Sequence, residues 1–145
     1  MPETATPPAT KALLVTRPEY DALLAQLDRR RAERDADPAA DVADQIVQLE
    51  TAAHRAVVAY PDDAGYLLVA VGTVVDVDDG RRRCRYRLAF DVDVPGEEGT
   101  TVVSAFSPVG LALVGRASGD VVDIALPDGR VRSLRVVRIG TVAPR

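Results

Sequence analysis

Scarcities narrow what this chain can be before any motif is read. It has one cysteine, Cys84, so neither an intrachain disulfide nor a cysteine-built metal site can form, and a reducing compartment is expected. Histidine occurs once, at His54, which leaves a histidine triad or ligand set without a second member. Tryptophan is absent and only two phenylalanines and four tyrosines are present, a thin supply for any pocket built of stacked rings. Lysine also occurs once, at Lys11, so nearly all positive charge is arginine. The longest apolar run, residues 66–75, is broken by Gly72 and falls far short of the ~20 residues that span a bilayer. Residues 1–10 are rich in proline, threonine and alanine and lack a charged stretch leading into an apolar core. They read as a disordered tail, not a leader, and a cytoplasmic location with no membrane partner is expected.

What is present suits a small globular protein. With 145 residues, 47% hydrophobic and 28% charged, the chain can build one domain of ordinary size plus an appendage. Its net charge of −4 argues against strong independent binding to nucleic acid.

Residues 1–15 are assigned to the tail. Thr16-Arg17-Pro18-Glu19 then combines a capping hydroxyl, an early proline and an acid three residues on, the signature of a helix start. Tyr20, Leu23, Leu24 and Leu27 form an apolar stripe that gives way to Arg29, Arg30, Arg31 and Arg34, which read as a solvated helix end or as a grip on an acidic partner or on nucleic acid. Pro38 lies in a polar break. A second periodic stretch carries Val42, Ile46, Leu49, Ala53, Ala56 and Val57 on one side and ends at Tyr60-Pro61. Residues 16–60 therefore predict an antiparallel helical hairpin with arms of about 18 residues, about 27 Å long.

From residue 67 the apolar period becomes two. A two-residue Asp79-Gly80 loop would pair Asp78 with Arg81, Asp76 with Arg83 and Val75 with Cys84, gathering Val75, Val77, Cys84 and Tyr86 on one face and the charges on the other. An acidic loop over 91–99 leads to a strand over 101–106. Ser107-Pro-Val-Gly-Leu-Ala-Leu-Val-Gly115 follows as a short helix with serine cap, proline at the first turn and a left-handed glycine stop, its apolar side formed by Leu111, Leu113 and Val114. Strands over 121–126 and 131–139 flank Pro127-Asp128-Gly129. A two-residue loop there would leave Leu134 and Val136 on the wrong face, so a bulge or a three-residue loop is expected. The fold class is α+β: the hairpin, then an antiparallel β domain over 66–140 with one short helix.

Taken together these motifs resemble a known family. Val15-Thr-Arg-Pro-Glu-Tyr20 with Leu23 and Leu27 is similar to the opening helix of the bacterial Gre transcript-cleavage factors. Ile46-Val-Gln-Leu-Glu50 resembles their returning helix, and Val71-Gly-Thr-Val74 with Asp79-Gly80 resembles the first hairpin of their C-terminal domain. Val103–Gly115, Gly119-Asp120 and Leu126-Pro-Asp-Gly129 are similar to the C-terminal signature shared by Gre and Rnk proteins. The resemblance implies an FKBP-like domain docked on the rim of the secondary channel of core RNA polymerase, with the hairpin pointing down the channel. It also implies that Ser107, Pro108 and Val109 touch the polymerase.

The departures are informative. The acidic tip motif of the cleavage factors is missing and the arms are shorter, which moves the chain toward the stubby-hairpin Rnk type: a monomeric transcription elongation regulator, not an enzyme, with no cofactor. Asp35, Asp37, Asp41 and Asp44 gather at the tip instead. They read as solvated acids that cap a helix start and complement its dipole. The alternative is a cleavage factor in which Asp41 and Asp44 help hold Mg²⁺ in the polymerase active site. A proline isomerase, the third reading open to an FKBP-like domain, lacks the aromatic residues for its pocket.

Overall fold

A computed structural model describes residues 12–61, 65–91 and 97–141. Strand β1 (Leu13–Thr16) leads into helix α1 (Arg17–Ala36), α2 (Ala43–Arg55) folds back, and β2 (Ala56–Ala59) pairs with β1 in parallel, Leu13 opposite Ala56. The helical hairpin is thus the crossover between two parallel strands. Next come β3 (Thr73–Asp78), β4 (Arg83–Ala89), β5 (Thr100–Ser104), α3 (Pro108–Leu113), β6 (Val121–Ala125) and β7 (Val131–Thr141). These five strands form one sheet in the order β5-β4-β3-β7-β6. No helix among the described residues is long and apolar enough to cross a membrane.

The α+β class and the expected order of parts hold, with corrections of detail. The tail stops short of residue 15, because Leu13 and Val15 are buried and Leu13–Thr16 is a strand; residues 1–11 lie outside the described residues. The second helix ends at Arg55, and Ala56, Val57 and their neighbours are extended, where the paired β-branched valines suit a strand. The sheet is mixed, because β4 and β5 run parallel. The strand expected over 101–106 ends at Ser104.

The first hairpin pairs Asp78 with Arg83 and Val77 with Cys84, two residues away from the expected register. A two-residue type I′ loop needs positive φ at both central positions, and here Gly80 alone supplies it while Asp79 does not. Asp79 instead accepts the backbone N–H groups of Arg81 and Arg82 at 2.9 and 3.0 Å, which organises a four-residue turn and holds its carboxyl below the usual range. A shift of two keeps every side chain on its face, so the expected partition of apolar and charged residues survives. The last hairpin takes the expected three-residue loop, closed by Leu126 N–H on the Arg130 carbonyl, and Leu134 then pairs inward with Val122. A bulge between the partners of Asp76 and Val77 lets β7 present both Val136 and Ile139 on the side of Val75 and Val77.

One hydrophobic core runs through both parts. Leu23 and Leu27 of α1 and Ile46, Leu49 and Ala52 of α2 join Leu13, Val15, Val69 and Val71, and the cluster continues through Val75, Leu88, Leu113, Leu134 and Val136. Burying each such leucine stabilises the fold by about 1.5–3 kcal/mol. The hairpin arms are of unequal length, about 30 Å for α1 and about 20 Å for α2 from their residue counts of 20 and 13.

Candidate functional site

The start of α3 is built as the sequence proposes. Ser107 has extended backbone angles, its Oγ accepts the Gly110 N–H at 3.1 Å, and Pro108 fills the first turn where no N–H is needed. The Ser107 hydroxyl also donates to the Ser104 carbonyl at 2.7 Å, tying the cap to the end of β5. Gly115 stops the helix with φ +89°. Leu113 and Val114 are buried, but Leu111 is 49% exposed, a correction to the expected apolar side. Six residues make barely two turns, so only part of the circumference can reach the sheet. Pro108 and Leu111 face solvent while Ser107 and Val109 are half-buried, which gives the helix a small outward apolar edge.

Gly110 explains how closely this helix sits. A Cβ at that position would fall on the Ser104 carbonyl oxygen and within 3.1 Å of the Ala105 Cα. Only a residue without a side chain lets α3 lie against the β5 end.

The hairpin is clamped to the β domain at a second point that sequence reasoning recognises only as a helix start. Thr16 Oγ1 accepts the Glu19 N–H at 3.3 Å, the expected cap. The Glu19 carboxylate, however, does not turn back to Thr16. Its Oε2 accepts the Phe90 N–H at 3.1 Å, seventy-one residues away, and the Thr16 N–H donates to the Val71 carbonyl at 2.9 Å. Val71 N–H returns a bond to Leu14 at 2.8 Å. Gly72 packs beneath this knot with φ +105°, and its N–H bonds the Leu88 carbonyl at 2.7 Å. The signal for this junction is a glycine inside an apolar run, which marks close backbone approach.

Burial raises the Glu19 carboxyl above its ordinary value near 4.5, outweighing the Phe90 hydrogen bond and the Arg87 charge that lower it, with Asp91 adding to the rise. The folded state therefore holds this proton more tightly than the unfolded one, so its share of stability is full below pH 4.5 and lost as pH rises through the raised value. Glu19→Gln keeps an acceptor for Phe90 and removes the charge. Thermal melts are expected to show the variant gaining on the wild type as pH climbs from about 4.5 to about 7; a constant difference across that range contradicts this role.

The acidic tip is spread out. Asp35, Asp37, Asp41 and Asp44 are all exposed. Asp37 closes α1, its Oδ1 taking the Ala39 N–H at 3.0 Å, and Asp35 lies 3.8 Å from Arg34. Neither Asp41 nor Asp44 caps α2: Val42 is the N-cap and no side chain bonds it, although Asp44 lies in the first turn where the dipole favours an acid. No group of three or more metal-ligating side chains is assembled among the described residues. Besides Arg34, two more members of the arginine cluster are paired, Arg30 with Glu33 at 2.9 Å and Arg31 with Glu50 across the arms at 2.6 Å. Such exposed pairs contribute under about 1 kcal/mol each and act as register marks. A shallow groove between the arms is lined by Tyr20, Leu27, Val47, Thr51 and His54. Residues 92–96 of the acidic loop lie outside the described residues.

Comparison with known proteins follows the same outline. Residues 68–141 match the family model described as transcription elongation factor, GreA/GreB, C-terminal. Among curated relatives, the transcription elongation factor GreA of Alkaliphilus oremlandii is 35% identical over 92 residues, covering 62% of this chain and 57% of the relative. GreA of Clostridioides difficile is 32% identical over the same length and shares. The chain thus spans little more than half the length of the curated relatives it matches. A solved GreA/GreB elongation factor from Nitrosomonas europaea superposes with a TM-score of 0.52 at 21% identity, covering 89% of this chain and 98% of that one, a likeness of fold.

Proposed function

The chain belongs to the GreA/GreB family through residues 68–141, and from this premise we propose that it regulates transcription elongation by docking at the secondary-channel rim of RNA polymerase. It acts as a cytoplasmic, non-catalytic binding module. Ser107, Pro108 and Val109 make the contact, and the hairpin points into the channel without stimulating transcript cleavage. The observation that carries this reading is the double clamp: the α3 start is fixed on β5 through Ser104 and Gly110, and the hairpin is fixed on β3 and β4 through Thr16, Glu19 and Gly72. One body thereby holds a docking edge and a prong at a set angle. The prong is short, with a second arm of about 20 Å, and its tip acids are dispersed, which supports a role outside the polymerase's own chemistry.

Anisotropy titration of the labelled protein with core polymerase tests the reading. Binding at micromolar concentration is expected, weakened about tenfold by Pro108→Ala combined with Arg116→Glu, just beyond the other end of α3. No binding by the wild type removes the proposal. In backtracked complexes the protein is expected to leave the RNA length unchanged. RNA shortening that is lost in Asp41→Ala/Asp44→Ala replaces this reading with that of a cleavage factor.

A further inference from the structure

We propose that the solvent face of the five-stranded sheet is a second docking surface, built to receive a carboxylate-rich segment of a partner protein. Strand register creates it. Arg83, Asp78 and Arg135 form one row across β4, β3 and β7, and Arg85, Asp76 and Arg138 form the next. In each row a central aspartate stands between two arginines but is gripped by only one. Arg85 Nε lies 2.8 Å from Asp76 Oδ1, and Arg135 Nη2 lies 3.6 Å from Asp78 Oδ2. Arg83 and Arg138 are left on opposite flanks with no carboxylate partner among the described residues.

Two strands and two residues separate them, which places their Cα atoms about 12 Å apart. Acids four residues apart on an extended segment are separated by about 13 Å, so one segment can satisfy both arginines. Each guanidinium can take a carboxylate in two parallel hydrogen bonds.

The surroundings favour protein carboxylates over a nucleic-acid strand. No strand position on this face carries an aromatic ring to stack a base: Tyr86, the aromatic residue of β4, is buried on the other side. The chain as a whole carries −4, which repels a long polyanion but tolerates a short acidic segment. On the β6 and β7 side the same face exposes Val121 (60%) and Val131 (66%), an apolar margin beside arginine that matches the chemistry of protein interfaces. None of these residues belongs to the α3 start, so the surface is tested independently of polymerase docking.

The probe is a fluorescent peptide of about ten glutamates, titrated at low salt beside an oligouridylate of about ten nucleotides. The peptide is expected to bind, with affinity falling about tenfold in Arg83→Glu/Arg138→Glu and staying within about twofold in the hairpin variant Arg29→Glu/Arg34→Glu. Matched melting temperatures verify that each variant is folded. Tighter binding of the oligouridylate, equal loss in both variants, or no peptide binding by the wild type each overturns the proposal.

Discussion

Gly72→Ala is expected to lower stability by about 2–4 kcal/mol, a fall in melting temperature of roughly 5–15 °C for a chain of this size. Two costs combine. The backbone there has φ +105°, which side-chain-bearing residues rarely adopt. The added methyl would also fall on the Thr16 hydroxyl and within 2.8 Å of the Glu19 Cβ, both in the knot that holds the hairpin. Gly65 separates the costs, because it has the same φ and a methyl added there would meet nothing within 4 Å. Gly65→Ala should therefore show the backbone cost alone, about 1–2 kcal/mol. Equal losses in the two variants would mean that the junction is not closely packed. Limited proteolysis is expected to cut the hairpin of Gly72→Ala faster than the rest of the chain, since its anchor is the part disturbed.

Gly110→Ala is the second large effect, and its sign makes it diagnostic. In an unencumbered helix this substitution stabilises by up to about 1 kcal/mol. Here the methyl meets the Ser104 carbonyl oxygen, the acceptor for both the Ser107 hydroxyl at 2.7 Å and the Ser107 N–H at 3.1 Å. Relieving the clash pushes α3 away and loosens its cap, so a net loss of about 1–3 kcal/mol is expected. Because Pro108 moves with the helix, the docking proposed above predicts that polymerase affinity falls in the same variant even where the protein remains folded at the assay temperature. A rise in melting temperature would show that α3 does not sit on the β5 end as described.

Much of this architecture is legible because local signals agree. Thr16 with Glu19, and Ser107 with Pro108, announce helix starts by chemistry that acts over three residues, and both caps are made. The alternation around Val75, Val77, Cys84 and Tyr86 defines the buried face even though the loop is longer than its Asp-Gly pair suggests, since a two-residue slip preserves parity. What stays hidden depends on partners distant in sequence. Leu13–Thr16 has no strand-like length of its own and becomes a strand only because Ala56–Ala59 lies beside it. The parallel pairing of Arg85 with Thr100 leaves no mark on either segment. Glu19 reads as half of a local capping pair, and only the fold reveals that its carboxylate reaches Phe90. At the candidate docking edge the sequence singles out Ser107, Pro108 and Val109 but places Leu111 inward, because a helix this short gives periodicity too few turns to define a face.

The parallel pairing of β1 and β2 also has a mechanical meaning. A sideways load at the far end of the two helices pulls on one and pushes on the other, and it reaches the small sheet through Thr16, at the tail of one strand, and through Ala56, at the head of the other. The two parallel strands are then driven past each other in shear, so their hydrogen bonds are loaded together instead of being unzipped singly. The base of the lever, where a load at its free end has the most leverage, is thus the part that is braced.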